Sequence, residues 1–217
     1  MKADEVARYL HHHPKFFDEY AELLAQLYLP HPHGGRAISI TERQILTLRE
    51  KARQVEAKLA ELIGFGEEND AIGEKVQRLA VALIAAPGGT EALRILYAHL
   101  AEDFAVPHVA IRVWGGTGGE RMEFSPVAEA IKEFAANLSH PYCGKPLEPA
   151  VMQWLGEPGG LVRSIALTPL RRGQQTIGLL LFGSEDIERF FPEMGTLYLQ
   201  RIGELSSAAL CRGFGFK

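Results

Sequence analysis

Cysteine is close to absent from this chain: Cys143 and Cys211 are the only two in 217 residues. Two thiols cannot build a disulfide framework or fill a four-ligand zinc site, and such sparse use fits a reducing, cytoplasmic compartment. Long apolar runs are absent as well. No stretch approaches the roughly 18 uninterrupted apolar residues that a membrane span needs. The opening "MKADEVARYL" carries acids where a secretory leader would carry an apolar run. Excess positive charge is the third absence. A formal net charge of −4 gives no basic field to hold nucleic acid or an anionic membrane. The spacings of a serine-hydrolase elbow, an HExxH zinc helix and a phosphate-binding P-loop are also missing. The residues therefore nominate no catalytic group, and the expectation is a protein that is not an enzyme.

What is present is an ordinary globular composition, with an apolar fraction of 47% and a charged fraction of 23%. At this length it supports one domain of moderate size plus an extension. Residues 1 to 37 read as two short helices. The first starts at Asp4 and stops at Pro14, because proline disfavours helical geometry in the residue before it. The second runs from Asp18 to Tyr28 and stops at Pro30 and Pro32. This segment holds five of the eight histidines: His11, His12, His13, His31 and His33. Three consecutive histidines point in different directions from a helix. The His-Pro-His loop has no cysteine or carboxylate within it to complete a site. They are assigned to local packing or solvent, and no metal is expected.

A long helix follows with a clear start. Thr41 and Gln44 have capping-box spacing, and Ile40 and Ile45 can form a hydrophobic staple. Ile45, Leu48, Ala52, Val55, Leu59 and Leu62 then recur at the alternating three-four spacing of a coiled-coil seam. The pattern resumes as Phe65, Asn69, Ile72, Val76, Leu79 and Leu83, after two consecutive steps of three. That interruption predicts either a stammer in a continuous helix or a break at Gly64 and Gly66. The seam is either packing on its own domain or a dimerisation stalk. "GFGEEN" at 64 to 69 is not a dinucleotide fingerprint, because no strand precedes it and position 69 is Asn.

After "APGGT" the chain mixes helices and strands. "TEALRILYAHLAEDF" is an amphipathic helix, and "HVAIRVW" alternates as a strand. "GGTGG" is read as a hairpin loop returning into a strand at Met122 to Phe124, since no helix follows it to cradle a phosphate. "SPVAEAIKEFAANL" is read as a helix with Ser125 as N-cap and Pro126 at its first position. "PAVMQWLG" forms a short helix. "VRSIALTPL" and "TIGLLLFGS" form a β-hairpin through a longer loop, "RRGQQ", with Ile177 to Phe182 buried on both faces. A closing helix runs from Pro192 to Cys211, with Met194, Tyr198, Ile202, Leu205 and Ala209 on one face. The order is that of an α+β domain with a mainly antiparallel sheet.

The end of the chain, "GLLLFGSEDIERFFPEMG" followed by a long helix, resembles the end of a GAF domain. The segments "VARYLHHHPKFF", "LLAQLYLPHPHGGRAISITERQILTLREK", "CGKPL" and "RSIALTPLRRGQQTIGLLLFGSEDIERFFPEMGTLYL" resemble the bacterial domain-of-unknown-function 484 family, over almost the whole chain. The resemblance implies a helical extension at residues 1–85 and a GAF-like domain at 86–217. Such domains are small-molecule-binding and dimerising signalling modules, and a few reduce free methionine sulfoxide with cysteines. The expected function is a non-enzymatic sensory module. It would be a homodimer joined through its long and terminal helices, with an unknown small-molecule ligand and no assigned cofactor. A protein partner would read its state. The expected pocket is mostly apolar, on the sheet face under the crossover segments, lined by Trp114, Phe124, Cys143, Trp154, Ser164 and Leu167.

Two alternatives stand beside this. One is a cysteine-dependent methionine-sulfoxide-type reductase. Its nucleophile would be Cys143, with His140 and Lys145 to lower the thiol pKa. The other is a ligand-free interaction scaffold with a filled core. Arg112, Arg163, Arg171 and Arg172 could gather as a small basic patch; the bland reading of the turn pair is solvation.

Overall fold

A computed structural model describes residues 2–26, 28–30, 37–147 and 149–216. It divides into two compact units, Met1–Gly66 and Glu67–Lys217.

The first unit opens with α1 (Ala3–His12), α2 (Phe16–Glu19) and α3 (Ala21–Gln26). Helix α1 is preceded by Lys2, whose backbone N–H donates to Glu5 Oε2 at 2.9 Å. Asp4 therefore lies inside the first turn rather than capping it. The single helix expected from Asp18 to Tyr28 is instead split at Tyr20. Its last residue belongs to a strand: β1 (Tyr28–Pro30) pairs antiparallel with β2 (Ala37–Ser39), Leu29 opposite Ile38. Pro30 is tolerated in this two-stranded ribbon because an edge position needs no donor there. His31 and His33 lie outside the described residues.

Helix α4 (Ile40–Ala85) follows directly. Thr41 sits within its first turn, and the side chains of Ile40 and Thr41 lie outside what is described. The helix is continuous through Gly64 and Gly66, so the interrupted repeat produces no break. Its two halves differ in their surroundings. In the first unit Ile45, Leu48, Val55, Leu59 and Leu62 are all exposed. In the second unit Val76, Leu79 and Leu83 are buried in the core, with Ile72 packed against it. The domain boundary expected at 85/86 thus moves to 66/67, because the last turns of α4 belong to the folded core.

The rest of the second unit is α5 (Gly89–Glu102), β3 (His108–Val113), α6 (Glu129–Asn137), β4 (Tyr142–Gly144), α7 (Pro149–Met152), β5 (Ser164–Arg172), β6 (Gln175–Ser184) and α8 (Leu197–Phe214). The α+β class expected from the sequence is what the chain adopts: a four-stranded antiparallel sheet in the order β3-β6-β5-β4, between helices. Strand β6 is central and Ile177 to Phe182 are buried, as their unbroken apolar run requires. Pro169 sits in β5 beyond the reach of β4, where its missing N–H costs no ladder bond. The β5–β6 loop is shorter than expected. Arg172 pairs with Gln175, leaving only Gly173 and Gln174 to turn, and Gly173 takes φ +60°. A bulge between Leu170 and Arg171 absorbs the difference. It leaves the Arg171 backbone N–H to donate to Ser207 Oγ on α8, at 2.9 Å.

Alternation along the strands gives the sheet two buried faces. One carries Ile111, Val113, Ala166, Leu170, Leu180 and Phe182 against α4, α5 and α8. The other carries Ala110, Ile165, Leu167, Leu179 and Leu181 against α6, α7 and the turns around them. Helix α8 starts later and ends later than expected, at Leu197 and Phe214. Its small residues approach the sheet closely: a Cβ on Gly203 would lie 2.4 Å from Thr168 Cγ2. Arg212 on α8 donates to the carbonyls of Leu83 (2.7 Å), Ile84 (3.1 Å) and Ala86 (3.1 Å). A cation there satisfies the orphan acceptors at the C-terminal end of α4.

Candidate functional site

The two edges of the sheet receive different treatment. On β3, Trp114 follows the last strand residue, and its backbone N–H still donates to Ile177 O at 2.8 Å. Its indole Nε1 donates to Thr176 O at 2.9 Å, which fixes the ring at the end of the sheet. The glycine-rich segment 115–119 then leaves the sheet. The strand expected at Met122 to Phe124 is a single 3₁₀ turn, because this segment is anchored elsewhere. Thr117 Oγ1 donates to Phe214 O at 2.6 Å, and the Arg121 guanidinium bonds Gly118 O (2.6 Å) and Thr90 Oγ1 (2.7 Å). Phe124 turns inward onto Phe214, with ring centroids 4.8 Å apart. The glycines are needed for that packing: a Cβ on Gly118 would stand 2.0 Å from the Phe124 ring. Ser125 and Pro126 precede α6 without starting it; the helix begins at Glu129.

These deviations open a cavity of about 290 Å³ at the end of β3. Its walls are Trp114, the loop glycines, Phe124 to Val127, and Lys132 from α6. Lys132 Nζ pairs with Glu129 at 3.0 Å and stays partly exposed. Lys132 and the loop glycines were not among the residues expected to line a pocket. α6 reads in sequence as an amphipathic helix, and only its docking shows which polar residue borders the cavity.

The six expected lining residues do not share one pocket. Trp114 and Phe124 meet in this cavity. Leu167 is fully buried in the core under α6 and α7. Trp154 lies in a 3₁₀ turn beside that core, with the Arg112 guanidinium 5.3 Å from its ring centroid. Ser164 works as a strut: its Oγ donates to Asp186 O at 2.5 Å and accepts from Phe190 N–H at 3.4 Å. Cys143, in β4 opposite Ala166, is buried in the core on the face covered by α4, α5 and α8. Burial pushes its thiol pKa up, the opposite of what a nucleophile requires. On the sheet face under the crossover segments, where the mostly apolar pocket is expected, Leu167 packs with Ile165, Leu179 and Leu181, and Trp154 lies against them.

Three of the four arginines of the expected patch, Arg112, Arg171 and Arg172, bond separate backbone carbonyls. Arg112 is buried, and its Nη1 donates to Ile111 O at 3.0 Å. Burial pulls its pKa down, while Tyr97 and Glu123 nearby pull it back up. Arg171 reaches the carbonyls of Ala136 and Leu138, and Arg172 that of Phe216 at 2.8 Å. Each cation closes a local stretch of backbone. The described N-terminal histidines do the same for α1. His12 Nδ1 donates to Arg8 O at 2.7 Å and His13 Nδ1 to Tyr9 O at 2.9 Å, each adding a side-chain bond to a carbonyl in the last turns of the helix.

Residues 1–212 match the family described as "Protein of unknown function, DUF484". The chain belongs to the DUF484 family. It is 25% identical over 205 residues to the "Uncharacterized protein YigA" of Salmonella typhimurium, a match covering 91% of this chain and 86% of YigA. Among solved structures it is similar to the GAF domain of A. Aeolicus nlh2 in an inactive state. That similarity has a TM-score of 0.49 and 18% identity, over 65% of this chain and 96% of that one. The DUF484 match spans both units of this chain. No helix among the described residues is long and apolar enough to cross a membrane.

Proposed function

We propose that this DUF484 chain is a non-enzymatic, cytoplasmic GAF-like regulatory module. It binds a small molecule at the end of β3 and self-associates through its helices, and a protein partner reads its state. The observation that carries the ligand reading is the meeting of Trp114, Phe124 and Lys132 around one cavity of about 290 Å³. Two aromatic surfaces and one cation suit a compact ligand with a flat apolar part and an acceptor group; the volume is at the small end for ligand sites. The loop 115–119 is tied to the end of α8 through Thr117, and Phe124 packs on Phe214. A ligand that moves this loop therefore acts directly on the terminal helix, which is how binding would shift the module between states.

Native mass spectrometry of freshly purified protein, with a thermal-shift screen of metabolites, tests this reading. The expected result is a bound small molecule, or a stabilising metabolite, whose effect Trp114→Ala and Lys132→Gln abolish. Consistent absence of both overturns it in favour of the ligand-free scaffold, a reading supported by the filled core around Leu167. The reductase reading has less support, since Cys143 is buried on the opposite face with its thiol pushed up.

A further inference from the structure

The first part of α4 carries an apolar stripe that its own unit leaves bare. Leu48, Val55, Leu59 and Leu62 are 64%, 66%, 56% and 65% exposed. Side chains of that size rarely stay in water along one continuous seam. The farther part of the same repeat is consumed by the core, so the two parts have separate physical explanations.

We infer that this stripe is the seam of a parallel, in-register, two-stranded coiled coil with a second copy of this chain. The inference deepens the self-association proposed above and rests on it. With Ile45 and Leu48 at positions a and d, Ala52 and Leu59 fall at a, and Val55 and Leu62 at d. The flanking positions then decide the partner and its direction. Lys51 and Lys58 fall at g; Arg49 and Glu56 fall at e. In a parallel pair, g of one helix faces e of the next heptad on the other. Lys51 therefore faces Glu56 of the partner subunit, and the two-fold axis repeats the pair in the opposite sense. An antiparallel pair would set g against g and bring the two lysine rows together. The reversed pair also sets Arg49 against Glu56 of the partner subunit in the e row, so its attraction and its lysine repulsion offset each other. The parallel pair keeps the Lys51–Glu56 attraction with no like charges opposite and is the favoured direction.

The seam residues are exposed in the single chain, so replacing them removes nothing from its core. Sedimentation of the intact chain at several concentrations is expected to give a dimer. Val55→Glu is expected to give a monomer of unchanged helix content. Lys51→Glu should weaken the dimer about ten-fold, and adding Glu56→Lys should restore it. Leu48→Cys should give a disulfide-linked dimer on mild oxidation, with the wild-type chain as control for Cys143 and Cys211. A wild-type monomer at micromolar concentration overturns the dimer and this geometry together. A dimer that survives Val55→Glu overturns the seam while leaving self-association standing. A dimer in which Leu48→Cys crosslinks only to a chain carrying Leu59→Cys keeps the seam and overturns its parallel, in-register direction. The ligand screen is independent of all these outcomes.

Discussion

Cys143 shows how much a residue's meaning depends on where its strand runs. In sequence it sits between His140 and Lys145, the surroundings of an activated thiol. In the fold it is a small hydrophobe on β4, packed in the core with burial raising its pKa. The native chain should therefore alkylate at Cys143 at least ~10-fold more slowly than the unfolded chain at neutral pH. Peptide mass spectrometry after timed iodoacetamide treatment would measure this. Rapid labelling of folded protein would return Cys143 to consideration as a nucleophile. Ser164 tells the same story: a hydroxyl offered to a ligand by its strand position is used to hold the segment after β6.

At the scale of elements, glycine separates positions where the fold needs the missing side chain from positions where it does not. A Cβ on Gly213 would stand 2.3 Å from the Gly89 backbone, where α8 crosses the start of α5. Gly213→Ala is expected to destabilise the second unit by about 1–3 kcal/mol, since backbone cannot move aside cheaply. At Gly64 and Gly66, on the continuous part of α4, nothing lies within 4 Å of an added Cβ. Gly64→Ala and Gly66→Ala should each stabilise the helix by roughly 0.5–1 kcal/mol. Urea unfolding followed by circular dichroism distinguishes the two classes. If alanine at 64 or 66 is destabilising, the helix needs bending there that its continuous form does not display.

At the scale of the molecule, the boundary between the units has a direct consequence. Val76, Leu79 and Leu83 are buried in the second unit's core, and Arg212 closes the end of α4. A fragment starting at residue 67 should unfold cooperatively. One starting at residue 86 loses three buried side chains worth together on the order of 5–9 kcal/mol. That is comparable to the whole stability of a domain, about 5–15 kcal/mol, so it should be unfolded or aggregated. Thermal melts of the two fragments would compare them. A stable 86–217 fragment would show that the end of α4 is dispensable.

Periodicity by itself determined α4, α5, β3, the β5–β6 hairpin and α8 as elements, and with them the α+β class. Each rests on a repeat of apolar residues that local geometry turns into one face. The long motifs determined the family. What periodicity could not reach were the short segments whose conformation is set by distant partners. The 3₁₀ turn at Met122 exists because Phe124 packs on Phe214 and Thr117 bonds its carbonyl. Strand β1 takes its first residue, Tyr28, from what reads as a helix because β2 offers it a pairing. The site shifted for the same reason. Alternation along a strand says which residues share a face. It does not say which face the crossover segments fill, so Leu167 and Trp154 went into packing. Trp114 and Phe124, 10 residues apart in sequence, were brought to one cavity by a loop fastened to the far end of the chain. The tertiary structure alone also decided how α4 is shared out: one heptad pattern runs along it, and contact with the sheet domain determines which part of that pattern is left bare.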